Sequence, residues 1–238
     1  MRKKYCKILA LGFYLCPLLI AFGCDIQIGG WGQAKHEITV QRQAPLAARS
    51  TLVAETSLGS ITITGAETTD CSVIANICGR ALTEEEAREL AEKVEIKLET
   101  TGNTLTIRAE KPPNKNRRSV SISYDIVVPK QTNIECASSY GAIKLTNING
   151  NTNGKTSSGS ITAENIEGST DLNTSYGSVK CRNITGDKIT VKSSSGSITA
   201  EIIKGPTQLT TSYGSITCTD MSDGDIKLKT SSGSINLQ

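Results

Sequence analysis

The sequence predicts an all-β protein: a right-handed parallel β-helix or β-solenoid with coils of about 18 residues and one short inserted α-helix. Six related segments between residues 138 and 238, from SSYGAIKL to TSSGSINL, predict the coils, because their glycines recur every 18 or 19 residues. Apolar and polar residues alternate within each segment, as in a half-buried strand. The chain has only two Phe and one Trp, which suits a narrow core of small aliphatic side chains.

Each coil is expected to contain two short strands and two glycine corners. The first glycine column is Gly141, Gly159, Gly177, Gly196, Gly214 and Gly233, and the second is Gly150, Gly168, Gly186, Gly205 and Gly224. Equivalent strands are expected to pair in parallel about 4.8 Å apart, with right-handed crossovers. Because glycine adopts positive φ without steric cost, we expect that conformation at the corners.

Two apolar columns are expected to face each other inside the coils. Two residues after the first glycine stand Ile143, Ile161, Val179, Ile198, Ile216 and Ile235, and five residues before it stand Cys136, Gly154, Leu172, Val191, Leu209 and Leu228. A further column of Ser and Thr lies three residues before each of these glycines.

The residue before the first glycine alternates between Tyr and Ser along the repeats. The tyrosines are Tyr140, Tyr176 and Tyr213, one in every second coil and therefore about 10 Å apart on one edge of the rod. One interpretation is an aromatic ladder that stacks on sugars or grips a partner. The other is that each ring covers the corner of a neighbouring coil. The three tyrosines are the candidate ligand ladder of this protein.

Residues 1–23 have the features of a signal peptide. Four basic residues precede an apolar run from Ile8 to Phe22, which is shorter than the ~20 residues that a membrane span needs. Gly23 and Cys24 at its end resemble a bacterial lipobox, so Cys24 is the predicted site of lipid attachment. The protein is therefore expected to be exported and lipid-anchored in the cell envelope, or secreted if Cys24 is not lipidated.

Charge and composition exclude several classes of function. The leader holds four of the 26 basic residues and none of the 23 acidic ones, so the remaining chain has 22 basic and 23 acidic residues and a net charge of −1. A chain with this charge balance has no excess of basic residues with which to bind nucleic acid. The lone His36 has no His or Cys nearby, and the glycine corners lack the spacing of calcium-binding repeats. No metal, no cofactor and no enzymatic activity are therefore expected.

The segment before the regular coils is less periodic. Residues 24–47 are expected to be a membrane tether or linker, with a first strand near Ile38–Val40, and residues 48–238 to form the solenoid domain. Residues 52–64 contain an early copy of the repeat, and Cys71–Ile77 is expected to form another strand.

A charged helix is predicted over residues 83–94. Thr83 and Glu86 have the spacing of a capping box, and an apolar stripe follows at helical spacing. This insertion is expected to lean on the rod or to cap its end. Three strands are expected to follow, over residues 94–99, 104–110 and 119–128.

The cysteines after Cys24 are expected to be mainly structural. Cys136, Cys181 and Cys218 fall in inward columns and are expected to be buried thiols. Cys71 and Cys78 could form a disulfide only if the chain turned between them, because one extended strand would place them about 23 Å apart. Whether they pair is left open by the sequence.

Several motifs resemble the bacterial DUF4097 family, whose members are often labelled adhesins. They are ETSLGSITITG, GNTLTIRAEKP, SYDIVVPKQTNIECASSYGAIKL and the repeated SSGSI coils, and the resemblance covers roughly residues 48–238. It implies a strand-rich solenoid that is commonly exported or membrane-tethered. The family has no agreed catalytic residues, so the resemblance implies none here.

Three functions are compatible with the sequence. The first is a non-enzymatic surface module that binds glycan, wall polymer or protein along a repetitive face of the solenoid. The second is a structural or envelope-stress-sensing lipoprotein in which the rod is a scaffold. The third is ice binding by Ser-Ile-Thr arrays, although Lys144 and Lys180 interrupt them. Ile235 and Leu237 of the last coil also predict weak end-to-end self-association.

Overall fold

The computed structural model describes residues 34–113 and 118–238. These residues form nineteen strands and one helix. The elements before the regular coils are β1 (Ala34–Pro45), β2 (Thr51–Leu58), β3 (Ile61–Ala66), β4 (Asp70–Ala81), α1 (Glu84–Glu92), β5 (Glu95–Thr101), β6 (Thr104–Glu110) and β7 (Ser119–Pro129).

The regular coils contribute the remaining twelve strands. They are β8 (Asn133–Tyr140), β9 (Ile143–Asn149), β10 (Thr152–Thr156), β11 (Ile161–Glu167), β12 (Thr170–Thr174), β13 (Val179–Thr185), β14 (Ile189–Ser193), β15 (Ile198–Lys204), β16 (Thr207–Thr211), β17 (Ile216–Ser222), β18 (Ile226–Thr230) and β19 (Ile235–Leu237).

The strands form two sheets that enclose the core. The ten-stranded sheet has the order β1-β4-β7-β3-β9-β11-β13-β15-β17-β19, and the nine-stranded sheet has the order β18-β16-β14-β12-β10-β8-β2-β6-β5. Neighbouring strands of the regular coils pair in parallel, whereas β1, β4 and β7 pair antiparallel, as do β5 and β6. The prediction of a parallel β-solenoid is confirmed, with coils of about 19 residues and about five turns.

The alternation of apolar and polar residues fixes the register. Ile161 pairs with Ile143 on one side and with Val179 on the other, and the side chains of all three are at most 1% exposed. A slip by one residue would turn each inward column toward solvent, so the apolar period strongly selects this register.

The first strand is longer than the sequence predicts. Residues 34–45 form β1, which pairs along its whole length with β4, although most of this segment was expected to be tether. The folded body therefore begins before residue 48. The predicted signal peptide, the predicted lipid-attachment site Cys24 and the start of the predicted tether lie outside the described residues. Among the residues that are described, the structure has no helix long and apolar enough to cross a membrane.

The inserted helix packs at the end of the rod where β1 lies. α1 contacts β1 and β4 and buries Ala87, Leu90 and Ala91. Thr83 caps the helix by accepting a hydrogen bond from the Glu86 backbone N–H at 3.2 Å. The second half of the predicted capping box does not form, because the Glu86 carboxylate instead accepts a hydrogen bond from Arg118.

The five cysteines in the described part of the chain are free thiols. Cys71 and Cys78 both lie on β4, one buried and one half-buried, so the structure answers the question of their pairing: they form no disulfide. Cys136, Cys181 and Cys218 are buried as expected. Burial raises the pKa of the Cys136 and Cys181 thiols to about 12, so both stay neutral and unreactive near neutral pH.

At the other end of the rod, β18 and β19 are the outermost strands of their sheets. Ile226, Ile235 and Leu237 are 38%, 44% and 64% exposed there. Self-association through this end stays a prediction.

Candidate functional site

The first glycine column marks one edge of the rod, where the chain passes from the nine-stranded to the ten-stranded sheet. We define the tyrosine edge as the outward-facing residues within four positions of these glycines. Tyr140, Tyr176 and Tyr213 are 65%, 72% and 71% exposed on it. Rings that covered the corners of neighbouring coils would be largely buried, so these exposures favour the ladder interpretation over the covering one.

A ladder of buried hydroxyl groups holds this edge together from inside. Thr174 Oγ1 donates to the Gly159 carbonyl at 2.9 Å and accepts from the Gly177 N–H at 3.1 Å. The same donation to a glycine of the preceding coil recurs, at 2.9 to 3.1 Å, for Ser138, Thr156, Ser193, Thr211 and Thr230. This internal ladder joins each corner to its neighbour. Outside it, the Ser197 and Ser215 hydroxyls accept hydrogen bonds from backbone N–H groups of the next coil, at 3.3 and 3.4 Å.

The glycines of this edge are needed for close packing rather than for positive φ. A Cβ atom on Gly177 would lie 1.9 Å from the Gly159 carbonyl oxygen, and the same clash recurs along the first column. None of these six glycines has a φ in the left-handed region, so the expectation of positive φ is wrong for this column. In the second column it holds at Gly168, Gly205 and Gly224, with φ values of +140°, +122° and +157°, but not at Gly150 or Gly186.

Lysines alternate with the tyrosines on the nine-stranded side of the edge. Four residues before the first glycines stand Ala137, Lys155, Asn173, Lys192, Thr210 and Lys229. The lysines are exposed and lie on the strands that lead to Ser, while the strands that lead to Tyr carry the uncharged residues. In the sheet register, Lys155 lies between Ala137 and Asn173, and Lys192 lies between Asn173 and Thr210.

The ten-stranded side of the edge adds two more cations. Lys144 and Lys180 lie three residues after the glycines of the coils that carry Tyr140 and Tyr176. Lys180 Nζ is 3.6 Å from Glu201 Oε1, while no carboxylate in the described ranges lies within ion-pair distance of Lys144. The cations therefore flank the tyrosines on both sheets.

The balance of charge differs sharply between the two edges. The tyrosine edge has five lysines and no acidic residue within four positions of its glycines. The same window around the five glycines of the second column contains eight acidic and four basic residues. The edge that carries the aromatic rings is thus the basic edge of the regular coils.

The opposite edge is built on asparagine. We define the asparagine edge as the residues within four positions of the second-column glycines. Asn147, Asn165 and Asn183 adopt φ values of 58°, 55° and 52°. The Asn165 amide nitrogen donates to Asn147 Oδ1, and the Asn183 amide nitrogen donates to Asn165 Oδ1, both at 2.9 Å. Two shallow polar grooves flank this edge, of about 380 and 300 Å³, and no aromatic side chain lines either one.

The sequence identified the tyrosines and missed their cationic partners. Lys155, Lys192 and Lys229 recur every second coil, which was visible as a period of 37 residues in the column four before the glycines. Lys144 and Lys180 were noticed only as interruptions of a threonine array. Across residues 34–113 and 118–238, no group of three or more His, Cys, Asp or Glu is arranged to hold a metal ion.

The fold and this edge define a parallel β-solenoid with a rigid, basic edge that presents tyrosines. The chain belongs to the Toastrack DUF4097 family, whose sequence profile matches residues 51–238. No functionally curated protein matches it.

The chain is similar to several solved structures at low sequence identity. One is described as a "putative cell adhesion protein" from Clostridium sporogenes, with 14% identity, 84% of this chain and 98% of that chain covered, and a TM-score of 0.44. A second, a "putative adhesin" from Bacteroides fragilis, has 16% identity, coverages of 84% and 97%, and a TM-score of 0.43. A third, a "putative lipid binding protein" from Parabacteroides distasonis, has 14% identity, coverages of 84% and 96%, and a TM-score of 0.46.

Proposed function

We propose that this protein is a non-enzymatic module of the cell envelope that binds an extended glycan, wall polymer or protein along the tyrosine edge. The observation that carries the proposal is the presence of three tyrosines at equivalent positions, each at least 65% exposed, on one straight edge. Exposed aromatic side chains contribute little to a folded core but provide large contact areas for a ligand.

The backbone hydrogen bonds around the tyrosines favour the binding of a ligand. The Tyr176 backbone N–H donates to the Ser157 carbonyl at 3.0 Å, and the Tyr213 N–H donates in the same way to Ser194. Together with the buried hydroxyl ladder, these bonds fix the backbone that carries the rings. A ligand therefore meets an edge whose spacing is set in advance, which reduces the entropy lost on binding.

The chemistry of the edge favours binding over catalysis. Its polar side chains are mostly Ser, Thr and Lys, and a serine nucleophile needs a neighbouring base. The single histidine of the chain, His36, lies on β1 at the opposite end of the rod from the last coils. The nearest carboxylate, that of Glu201, is engaged with Lys180 and Arg182.

Export to the cell envelope and lipid attachment at Cys24 belong to this proposal. An anchor at the N-terminal side would leave the regular coils free to project away from the membrane. In the alternative, in which the rod is a scaffold or a stress-sensing lipoprotein, the tyrosines would have no binding role.

A triple substitution separates these two functions. We expect Tyr140→Ala, Tyr176→Ala and Tyr213→Ala, combined in the full chain, to lower the affinity for isolated envelope polymers and glycan arrays at least about tenfold, since each aromatic stacking contact contributes about 1–3 kcal/mol in comparable polymer grooves. Thermal unfolding should change little, because the removed rings are exposed.

The matched control replaces Ser158, Ser195 and Ser232 by Ala on the intervening coils. It should leave binding unchanged. Undiminished binding by the tyrosine variant would contradict a role for this edge and favour the scaffold function.

A further inference from the structure

We infer that the ligand of the tyrosine edge is an anionic polysaccharide that lies along the rod axis with its acidic groups in step with every second coil. This inference rests on the proposed function and narrows it to one class of polymer. Three features carry it: the tyrosine rings, the lysines that have no acidic neighbours, and the shared period of two coils.

The exposed tyrosine rings indicate that the ligand is built of sugars. One face of a pyranose ring is apolar because its C–H groups point the same way, and that face packs on an exposed aromatic ring. Tyr140, Tyr176 and Tyr213 provide such rings, each with a hydroxyl group that can bond to the sugar hydroxyls. A flexible anionic chain without rings, such as polyphosphate, would leave these contacts unused.

The lysines of the tyrosine edge indicate that the ligand is negatively charged. Outside this edge on the ten-stranded sheet, Arg182 is paired with acidic residues, since it lies 3.8 Å from both Glu164 and Glu201 on the adjacent strands. On the tyrosine edge the strands next to Lys155, Lys192 and Lys229 offer uncharged residues instead, and no carboxylate in the described part of the chain is within ion-pair distance of these three lysines. Their charge remains available to a ligand.

Avoidance of repulsion between lysines does not by itself explain this pattern. Separating like charges by one strand relieves repulsion, but a residue of opposite charge in the intervening strand would relieve it more, as Arg182 does between Glu164 and Glu201. The intervening residues Asn173 and Thr210 are neutral. The arrangement therefore preserves positive charge along the edge.

The spacing of the tyrosines and lysines along the rod favours an extended polysaccharide as the ligand. Two coils rise about 10 Å, which is close to the length of one disaccharide unit in an extended, β-linked polysaccharide. Tyrosines and lysines both repeat at this interval. Lys155 and Lys192 each lie on a strand between two strands that lead to Tyr, and Lys229 lies on the strand that ends this series. A polymer with one acidic group per disaccharide would meet one ring and one cation per repeat.

The position of the cations favours a chain over a flat surface. Lys144 and Lys180 belong to the ten-stranded sheet, and Lys155, Lys192 and Lys229 belong to the nine-stranded sheet, so the two rows lie on either side of the tyrosines. A single chain laid along the corner reaches both rows, whereas a planar anionic membrane meets the rings first.

The test uses hyaluronan oligosaccharides, which carry one carboxylate per disaccharide, and the same oligosaccharides after chemical reduction of the carboxyl groups. With the full chain, we expect the acidic form to bind at least about tenfold more tightly, with an affinity that weakens as salt is raised. Affinity should rise with chain length until the oligosaccharide spans Tyr140 to Tyr213, about 19 Å over four coils.

Two charge-matched variants locate the effect. Lys155→Gln, Lys192→Gln and Lys229→Gln together should abolish the preference for the acidic form and leave binding of the reduced form unchanged. Lys188→Gln, Lys204→Gln and Lys227→Gln remove the same charge from the asparagine edge and should change affinity less than about twofold.

The outcomes separate this inference from the proposed function. Equal, tyrosine-dependent binding of acidic and reduced forms would overturn the inference and leave the proposed function intact. Failure of both forms, or tighter lysine-dependent binding to vesicles of anionic phospholipid, would also overturn it. Loss of all tyrosine dependence for every envelope polymer would refute the proposed function itself.

Discussion

The two edges of the rod are built from the same coils, yet different hydrogen bonds hold neighbouring coils together at each edge. On the tyrosine edge, buried hydroxyls and glycines join the coils, so most of the side-chain hydrogen bonds that hold the corner lie inside it. On the asparagine edge, half-buried and exposed amides bond to each other along the outside, so the surface side chains are themselves structural. The comparison teaches that a solenoid can keep a repetitive row of side chains exposed where its hydroxyl ladder is internal.

The largest effect should come from the glycine column of the tyrosine edge. Gly177→Ala would place a Cβ atom 1.9 Å from a backbone oxygen of the preceding coil, and the coils would have to separate. We expect the free energy of unfolding to fall by about 3 kcal/mol or more, measured by urea denaturation.

The control for this prediction is Gly102→Ala in the hairpin between β5 and β6. Gly102 has φ +58° and no neighbouring atom within 4 Å of an added Cβ, so only backbone strain of about 1 kcal/mol is expected. Equal losses at Gly102 and Gly177 would show that close stacking is not what requires glycine on the tyrosine edge.

A smaller effect, of opposite sign, is expected on the asparagine edge. Ile202 occupies the same corner position as Asn183 and has φ +56°, which is strained for a β-branched residue. Ile202→Asn would relieve this strain and offer a further amide to the ladder. We expect a gain of about 1 kcal/mol, seen as a rise of about 2–4 °C in Tm.

The reverse substitution is the matched control. Asn183→Ile would break the amide ladder and add a second strained residue, so it should lower Tm. If Ile202→Asn also lowers Tm, apolar contacts of Ile202 outweigh backbone strain and amide bonding at this edge.

The period of the repeats was sufficient to predict the solenoid, its inward columns and the position of the tyrosines on one edge, because burial in stacked coils depends on local alternation. Whether the rings are exposed or cover a neighbouring corner was left open by the sequence, and the structure shows that they are exposed. Three features needed the structure. The length of β1 depends on an antiparallel partner, β4, that lies far away in sequence. The reason for the first glycine column is a contact between coils, and the role of Glu86 depends on Arg118, thirty-two residues later.

The candidate site, too, could be predicted only in part from the sequence. The positions of the tyrosines could be predicted because each one directly precedes a repeated glycine, and these glycines align the repeats in the sequence. Lys155, Lys192 and Lys229 were overlooked because their column alternates with uncharged residues, and the significance of that alternation depends on which strands are neighbours.

The most direct test of the binding account is hydroxyl-radical footprinting of the full chain with and without saturating acidic oligosaccharide. The account predicts protection of Tyr140, Tyr176 and Tyr213, and unchanged labelling of Ile202 and Met221 at the asparagine edge. Protection confined to the asparagine edge, or bound oligosaccharide that leaves the three tyrosines fully labelled, would contradict it.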